Sequence, residues 1–246
     1  MCCNKVNPMR YQGENRGRCG AFLRTLLSAV LGTSAALIDR DSAAAESLKI
    51  VTTLSTYADI AQTIGGERVT ANAIVSPRFN PHFIEPRPSD ILRLKKADLF
   101  IHSGLDLEAW RGPLVDAAGR PEVKPGGARE LDLSTGITLL EIPSPDITRA
   151  HGDIHLHGNP HFWLSPENGL AIARAIGSKL GEIDPGYSDV YRRNTEIFVL
   201  KLTQAIAAWR ELAAPFRGQP LVGYHNEWVY LTQFLGLRCE RFLEPK

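Results

Sequence analysis

From residue 48 onward the apolar positions switch repeatedly between a period of two and a period near 3.6. Leu48-Lys49-Ile50-Val51-Thr52-Thr53 is apolar and β-branched and reads as a buried first strand. Ser55 starts a helix with Tyr57, Ile60, Ala61 and Ile64 on one face, ended by Gly65-Gly66. Residues 69–75 read as a second strand, and 76–88 as a loop with four prolines and His82. Ser89 is placed to cap a helix carrying Ile91, Leu92, Leu94 and Ala97. Residues 98–101 follow as a third strand, and His102-Ser103-Gly104 turns out of it. Strands alternating with helices predict an α/β fold whose parallel sheet is covered on both faces. Ligands of such sheets bind beyond the carboxyl ends of the strands. The loops bearing His82 and His102 face that rim.

The second half begins with a loop, 141–160, broken by Pro143, Pro145, Gly152 and Gly158. Pro166 opens a helix with Leu170, Ala173, Ile176 and Leu180 at helical spacing. Asp184-Pro185 predicts another helix start, with Asp184 as the capping acid. Tyr187, Tyr191, Asn194, Phe198, Leu202, Ala205 and Trp209 then recur every three or four residues. The helix expected here, of about 28 residues, would be roughly 42 Å long at 1.5 Å per residue. It reads either as a strut between two lobes or as an ordinary long surface helix. Residues 219–224 restart the strand pattern, 227–234 the helix pattern and 237–243 a last strand. Two strands and one helix are too few to bury a core of their own.

The first 45 residues follow other rules. Arg16, Arg18 and Arg24 lead an apolar, small-residue stretch over 21–38, and Ser42-Ala43-Ala44-Ala45 offers a cleavage site. Basic, then apolar, then small is the order of a secretory signal. Arg24 and the Asp39-Arg40-Asp41 flank make it a poor permanent span. Cleavage there would remove Cys2, Cys3 and Cys19 and leave Cys239, which cannot form an internal disulfide. Cys19 follows Gly17-Arg18 and lacks the apolar-small context of a lipidated cysteine, so a periplasmic protein without a lipid anchor is expected. Over the whole chain, 28 Lys and Arg balance 27 Asp and Glu. No basic stripe suggests nucleic acid.

The candidate chemistry lies in the histidines. Asn80-Pro81-His82 and Gly158-Asn159-Pro160-His161 each set an imidazole directly after Asn-Pro, where proline restricts the backbone and aims the ring. His225 follows Val222-Gly223-Tyr224 at the end of what reads as a buried strand. Neutral imidazole is the commonest nitrogen ligand for zinc and its neighbours. The three rings therefore imply a transition-metal site. His151, His155 and His157 form either a flexible metal trap or a solvated loop. His102 reads as a hydrogen-bonded histidine, and Trp110 and Trp163 as packing residues. Asp90 and Glu85 flank His82, where either is placed to accept an imidazole N–H. Glu85 reads equally as a surface charge facing a partner.

These residues resemble the zinc/manganese family (cluster 9) of metal-binding solute-binding proteins of ATP-binding-cassette importers. The resemblance covers about 48–246. It is carried by Asn80-Pro81-His82 running into Glu85-Pro86-Arg87-Pro88-Ser89-Asp90, and by Gly104-Leu105-Asp106-Leu107-Glu108-Ala109-Trp110. Gly158-Asn159-Pro160-His161-Phe162-Trp163-Leu164-Ser165-Pro166, Tyr224-His225-Asn226-Glu227-Trp228 and Phe242-Leu243-Glu244-Pro245-Lys246 complete it.

The resemblance implies two parallel-sheet lobes joined by a long rigid helix. The expected divisions are a signal peptide over 1–45, a metal-binding lobe over 46–184, the linker helix over 185–214 and an incomplete second lobe over 215–246. His82 and His161 would be ligands from the first lobe and His225 from the second. The family's usual fourth ligand is an acidic residue late in the second lobe, beyond this sequence, so none is carried over. Water, Glu227 or a loop histidine is left to fill that place. Three imidazoles favour Zn2+ as the transported ion, with Mn2+ the alternative. The expected partner is the membrane permease of the importer, the expected state a monomer, and the expected role binding and not catalysis. The competing reading is a zinc-dependent hydrolase with an open three-histidine site and Glu227 as base. It lacks a His-Glu-x-x-His helix or a nucleophile motif.

Overall fold

The structure is a computed structural model that describes residues 46–144, 146 and 155–243. The leader expected over 1–45 and the loop residue His151 lie outside the described residues. No helix among the described residues is long and apolar enough to cross a membrane.

Four strands form a parallel sheet in the order β2-β1-β3-β4: β1 (Leu48–Thr52), β2 (Val69–Ala73), β3 (Leu99–His102) and β4 (Glu130–Asp132). The central strands carry the core. Ile50, Val51, Leu99, Phe100 and Ile101 are all buried, as a strand covered on both faces requires. Edge strand β2 alternates, with Val69 inside and Thr70 and Asn72 exposed. Three helices belong to this half: α1 (Ser55–Gly65), α2 (Pro88–Lys95) and α3 (Arg111–Ala118). β4 went unread in the sequence because three half-buried residues, Glu130-Leu131-Asp132, carry almost no alternation.

The start of α2 differs from expectation. Ser89 lies inside the first turn and is exposed. The helix is closed by Asp90, whose carboxylate accepts the Arg87 N–H at 2.9 Å, half of a capping box. Asp90 thus serves the helix terminus and Arg93, not the imidazole of His82.

Two long helices follow, α4 (Pro166–Ile183) and α5 (Ser188–Ala213). They pack closely because Gly177 faces Thr195: a Cβ at Gly177 would lie 2.0 Å from the Thr195 hydroxyl. The run at 185–187 is a short 3-10 turn, so α5 starts later than Asp184-Pro185 implied. Asp184 does not cap it. Its carboxylate accepts from Arg68 at 2.8 Å and from the Tyr191 hydroxyl at 2.7 Å, tying the start of α5 to the first sheet. Asn194 donates to the Ile64 carbonyl at 2.8 Å and satisfies the end of α1. The far half of α5 keeps Leu200, Trp209 and Leu212 exposed and reaches α6 (Val229–Leu235), where Arg210 stacks 5.6 Å from the Phe234 ring.

The second sheet is the parallel pair β5 (Pro220–Gly223) and β6 (Arg238–Phe242). The strand before His225 is not buried as expected: Leu221 and Val222 are exposed, because two strands and one helix leave one face uncovered. The architecture is α/β with two parallel sheets and a long helix between them in sequence.

Candidate metal centre

His82 lies in the loop after β2, and its backbone N–H donates to Asn80 Oδ1 at 2.9 Å. His161 repeats the device, its N–H donating to Asn159 Oδ1 at 3.0 Å. The asparagine of Asn-Pro-His therefore closes a turn on the histidine two residues later, and proline holds it. Trp110 Nε1 donates to the Pro81 carbonyl at 2.8 Å and pins the first turn to the sheet rim. Trp163 lies 5.3 Å from the His161 ring and walls the site.

The three predicted imidazoles converge. Ring centroids are 5.1 Å apart for His82 and His161, 5.8 Å for His82 and His225, and 5.7 Å for His161 and His225. His82 and His161 bring their Nε2 atoms to 3.0 Å. Two nitrogens bound at ~2.0–2.1 Å to one tetrahedral zinc would lie roughly 3.3 Å apart. The observed spacing is near what such an ion needs. A fourth ring, His155, joins them: one nitrogen from each of His82, His155, His161 and His225 lies within 4.8 Å of all the others. The sequence left His155 undecided among loop histidines. His157, two residues on, is exposed and outside this group.

Asn159 is the hub that sets ring chemistry. Its Nδ2 donates to Glu141 Oε2 and to the Asn226 carbonyl, both at 2.9 Å, which fixes the amide orientation. Oδ1 must then accept from His161 Nδ1 at 2.9 Å, so the proton is on Nδ1 and the Nε2 lone pair faces the cluster. Asn226 also donates to Glu141, at 2.8 Å, and the Tyr230 hydroxyl donates to the Asn159 carbonyl at 2.8 Å. The segment bearing His225 is thereby fastened to the segment bearing His161. Composition did not single out Asn159 or Glu141, although Asn-Pro-His itself held the clue.

His155 Nδ1 lies 2.8 Å from Asp106 Oδ1, and the Leu156 N–H donates to the other carboxylate oxygen at 3.2 Å. Burial raises the Asp106 carboxyl, but these hydrogen bonds and the His155 charge outweigh it and leave Asp106 below the ordinary carboxylate range.

Burial, then repulsion from His82, His155 and His225, pushes the His161 imidazole down to about 2. An unfolded chain protonates the same ring near 6.5. Between those values the unfolded chain binds a proton that the fold refuses, so stability falls as pH drops below 6.5. The slope is at most about 1.4 kcal/mol per pH unit, and above that window this ring contributes none. Urea midpoints of metal-free protein at about pH 7.5 and about pH 5 check this, with the lower value expected at acid pH and His161→Gln flattening the difference.

A second group lies apart. His102 Nε2 is 2.6 Å from Glu130 Oε1 and 3.1 Å from Arg111, with Asp132 nearby. The guanidinium already supplies the positive charge these acids need, so His102 reads as a fully buried hydrogen-bonded histidine.

Comparisons with known proteins identify the family. The family described as zinc-uptake complex component A, periplasmic, matches residues 50–245. The chain belongs to this family. Within it, the chain is 29% identical over 226 residues to the iron-binding protein YfeA of Yersinia pestis, covering 91% of this chain and 68% of that one. It is 30% identical over 189 residues to the manganese ABC transporter substrate-binding lipoprotein PsaA of Streptococcus pneumoniae, covering 75% and 58%. The chain thus spans less than two thirds of that relative's length. A solved ZnuA deletion mutant with zinc bound superposes with a TM-score of 0.68 at 23% identity, over 82% of this chain and 72% of that one. The AdcAII protein of Streptococcus pneumoniae gives 0.63 at 26% identity, over 79% and 67%. This is a family of solute-binding proteins and not of enzymes, so the hydrolase reading is set aside.

Proposed function

We propose that the protein captures zinc through His82, His161 and His225 and delivers it to the membrane permease of an ATP-binding-cassette importer. The observation that carries this reading is the convergence of three imidazoles whose ring centroids lie 5.1–5.8 Å apart. Imidazole nitrogen suits zinc and its neighbours, whereas manganese sites favour more carboxylate. Family membership and the zinc-bound ZnuA superposition support the same ion, and the manganese-binding PsaA keeps Mn2+ as the alternative cargo.

In this reading residues 46–184 form the first lobe, 185–214 the linker and 215–246 part of a second lobe, with His225 reaching across to His82 and His161. The chain acts in the periplasm as a monomer, and its even charge supports a role without nucleic acid.

Titrating zinc into metal-free protein against a chromophoric chelator tests the reading. One equivalent held more tightly than manganese is expected. Failure to take zinc from the chelator overturns capture, and tighter manganese binding overturns the choice of ion.

A further inference from the structure

We propose that His155 is a fourth nitrogen ligand and that Asp106 positions it, so that four neutral imidazoles of this chain face the ion. The inference rests on the capture reading above and adds to it a fourth donor and the group that holds it.

The ring is already in place. His155 stacks on His82 with centroids 5.0 Å apart and planes 24° from parallel, and lies 5.5 Å from His161 and 6.5 Å from His225. Its tautomer follows from its neighbour. In the neutral ring that a metal requires, the Asp106 carboxylate, which only accepts, bonds to Nδ1–H, and the lone pair is then on Nε2. That Nε2 is buried and, among the described residues, has no hydrogen-bond partner. A buried acceptor left in this way is unfavourable, and an ion at the centre of the cluster would relieve it.

Two of the four rings thus repeat one arrangement. His161 gives Nδ1–H to Asn159 and His155 gives Nδ1–H to Asp106, each presenting Nε2 inward. Oxygen acceptors behind metal-bound imidazoles fix the ring and raise its basicity. Asp106 is itself held, since the Leu156 N–H fastens its second oxygen and locks the loop onto it. Its charge stays outside the first sphere and offsets part of a dication's charge through the ring. Four nitrogens within 4.8 Å of one another favour zinc-class ions over manganese.

The test uses the full chain loaded with Zn2+ or with Co2+, comparing wild type, His155→Ala, Asp106→Asn and His161→Ala. X-ray absorption of the zinc form counts imidazoles, the visible spectrum of the cobalt form reports coordination, and chelator competition gives affinity. Wild type is expected to show four nitrogens. His155→Ala should show three, an altered cobalt spectrum and a roughly 100-fold weaker affinity. Asp106→Asn should keep the four-nitrogen count but bind zinc about 10–100-fold more weakly, the range seen when an outer-sphere partner is lost. A His155→Ala protein with the wild-type spectrum and affinity, beside a His161→Ala protein that has lost zinc, overturns the fourth ligand and leaves capture standing. Unchanged affinity in Asp106→Asn overturns its positioning role. Wild-type zinc affinity in His161→Ala sinks the capture reading itself.

Discussion

His161→Ala is expected to weaken zinc binding by several hundred-fold while leaving the fold intact. Apparent binding energies of structural zinc sites run to about 10–16 kcal/mol. Shared among three or four ligands, that is about 2.5–5 kcal/mol for each, centred on the order of several hundred-fold in Kd. Of the predicted ligands His161 has the best-defined preparation: it is buried, its Nδ1 proton is committed to Asn159, and its Nε2 lies 3.0 Å from that of His82. The ring supports no strand or helix of the sheet, so the loss should appear in affinity and not in far-ultraviolet circular dichroism. The metal-free variant should even lose less stability than wild type on acidification, because the ring that refuses a proton is gone. Chelator competition with zinc checks the first statement. An affinity within a factor of about three of wild type, less than 1 kcal/mol, would falsify the assignment of His161.

Much of the fold was legible because its elements are strongly periodic. β1, α1, β3 and α4 declare themselves through runs such as Leu48-Lys49-Ile50-Val51 and Leu170, Ala173, Ile176, Leu180. The errors fall where a polar side chain has two uses. Asp184 before proline has the form of a helix cap, yet Arg68, 116 residues earlier, claims its carboxylate. Ser89 and Asp90 are both plausible at the start of a helix, and only the backbone shows that Asp90 reaches back to Arg87. β4 is too short to bear a pattern, and β5 reads as buried from composition although Leu221 and Val222 face outward.

The site shows the same division. His82, His161 and His225 stand in rigid, recognisable phrases, and the structure brings all three together. His155 stands in a Gly/Pro loop whose sequence fixes no direction; what directs it is Asp106, 49 residues away. Long-range pairing of this kind leaves no local trace. The acids flanking His82 were the natural candidates for orienting a ring, but Asp90 is spent on α2, and the residues that orient rings are Asn159 and Asp106.

Asn159→Ala is the second substitution with a large expected effect, and it acts on fold and metal together. The side chain makes four hydrogen bonds: it accepts from His161 N and Nδ1 and donates to Glu141 and to the Asn226 carbonyl. At about 1 kcal/mol for each neutral bond and about 1.5–3 for the bond to a charged group, about 4.5–6 kcal/mol of stability is at stake. The His161 Nδ1–H is also left buried without its acceptor, and the tautomer that turns Nε2 inward is no longer enforced. Zinc affinity should therefore fall about 10–100-fold even though no proposed ligand is touched. Asn159→Asp separates the two effects. It keeps oxygens for His161 but sets a second carboxylate against Glu141, so stability should drop while zinc binding stays closer to wild type. Urea unfolding and chelator competition on both variants read the outcome. Should Asn159→Ala unfold at the wild-type midpoint, the clamp between the His161 and His225 segments holds nothing. Should Asn159→Asp instead lose zinc as fully as Asn159→Ala, orientation of the imidazole is not what this residue provides.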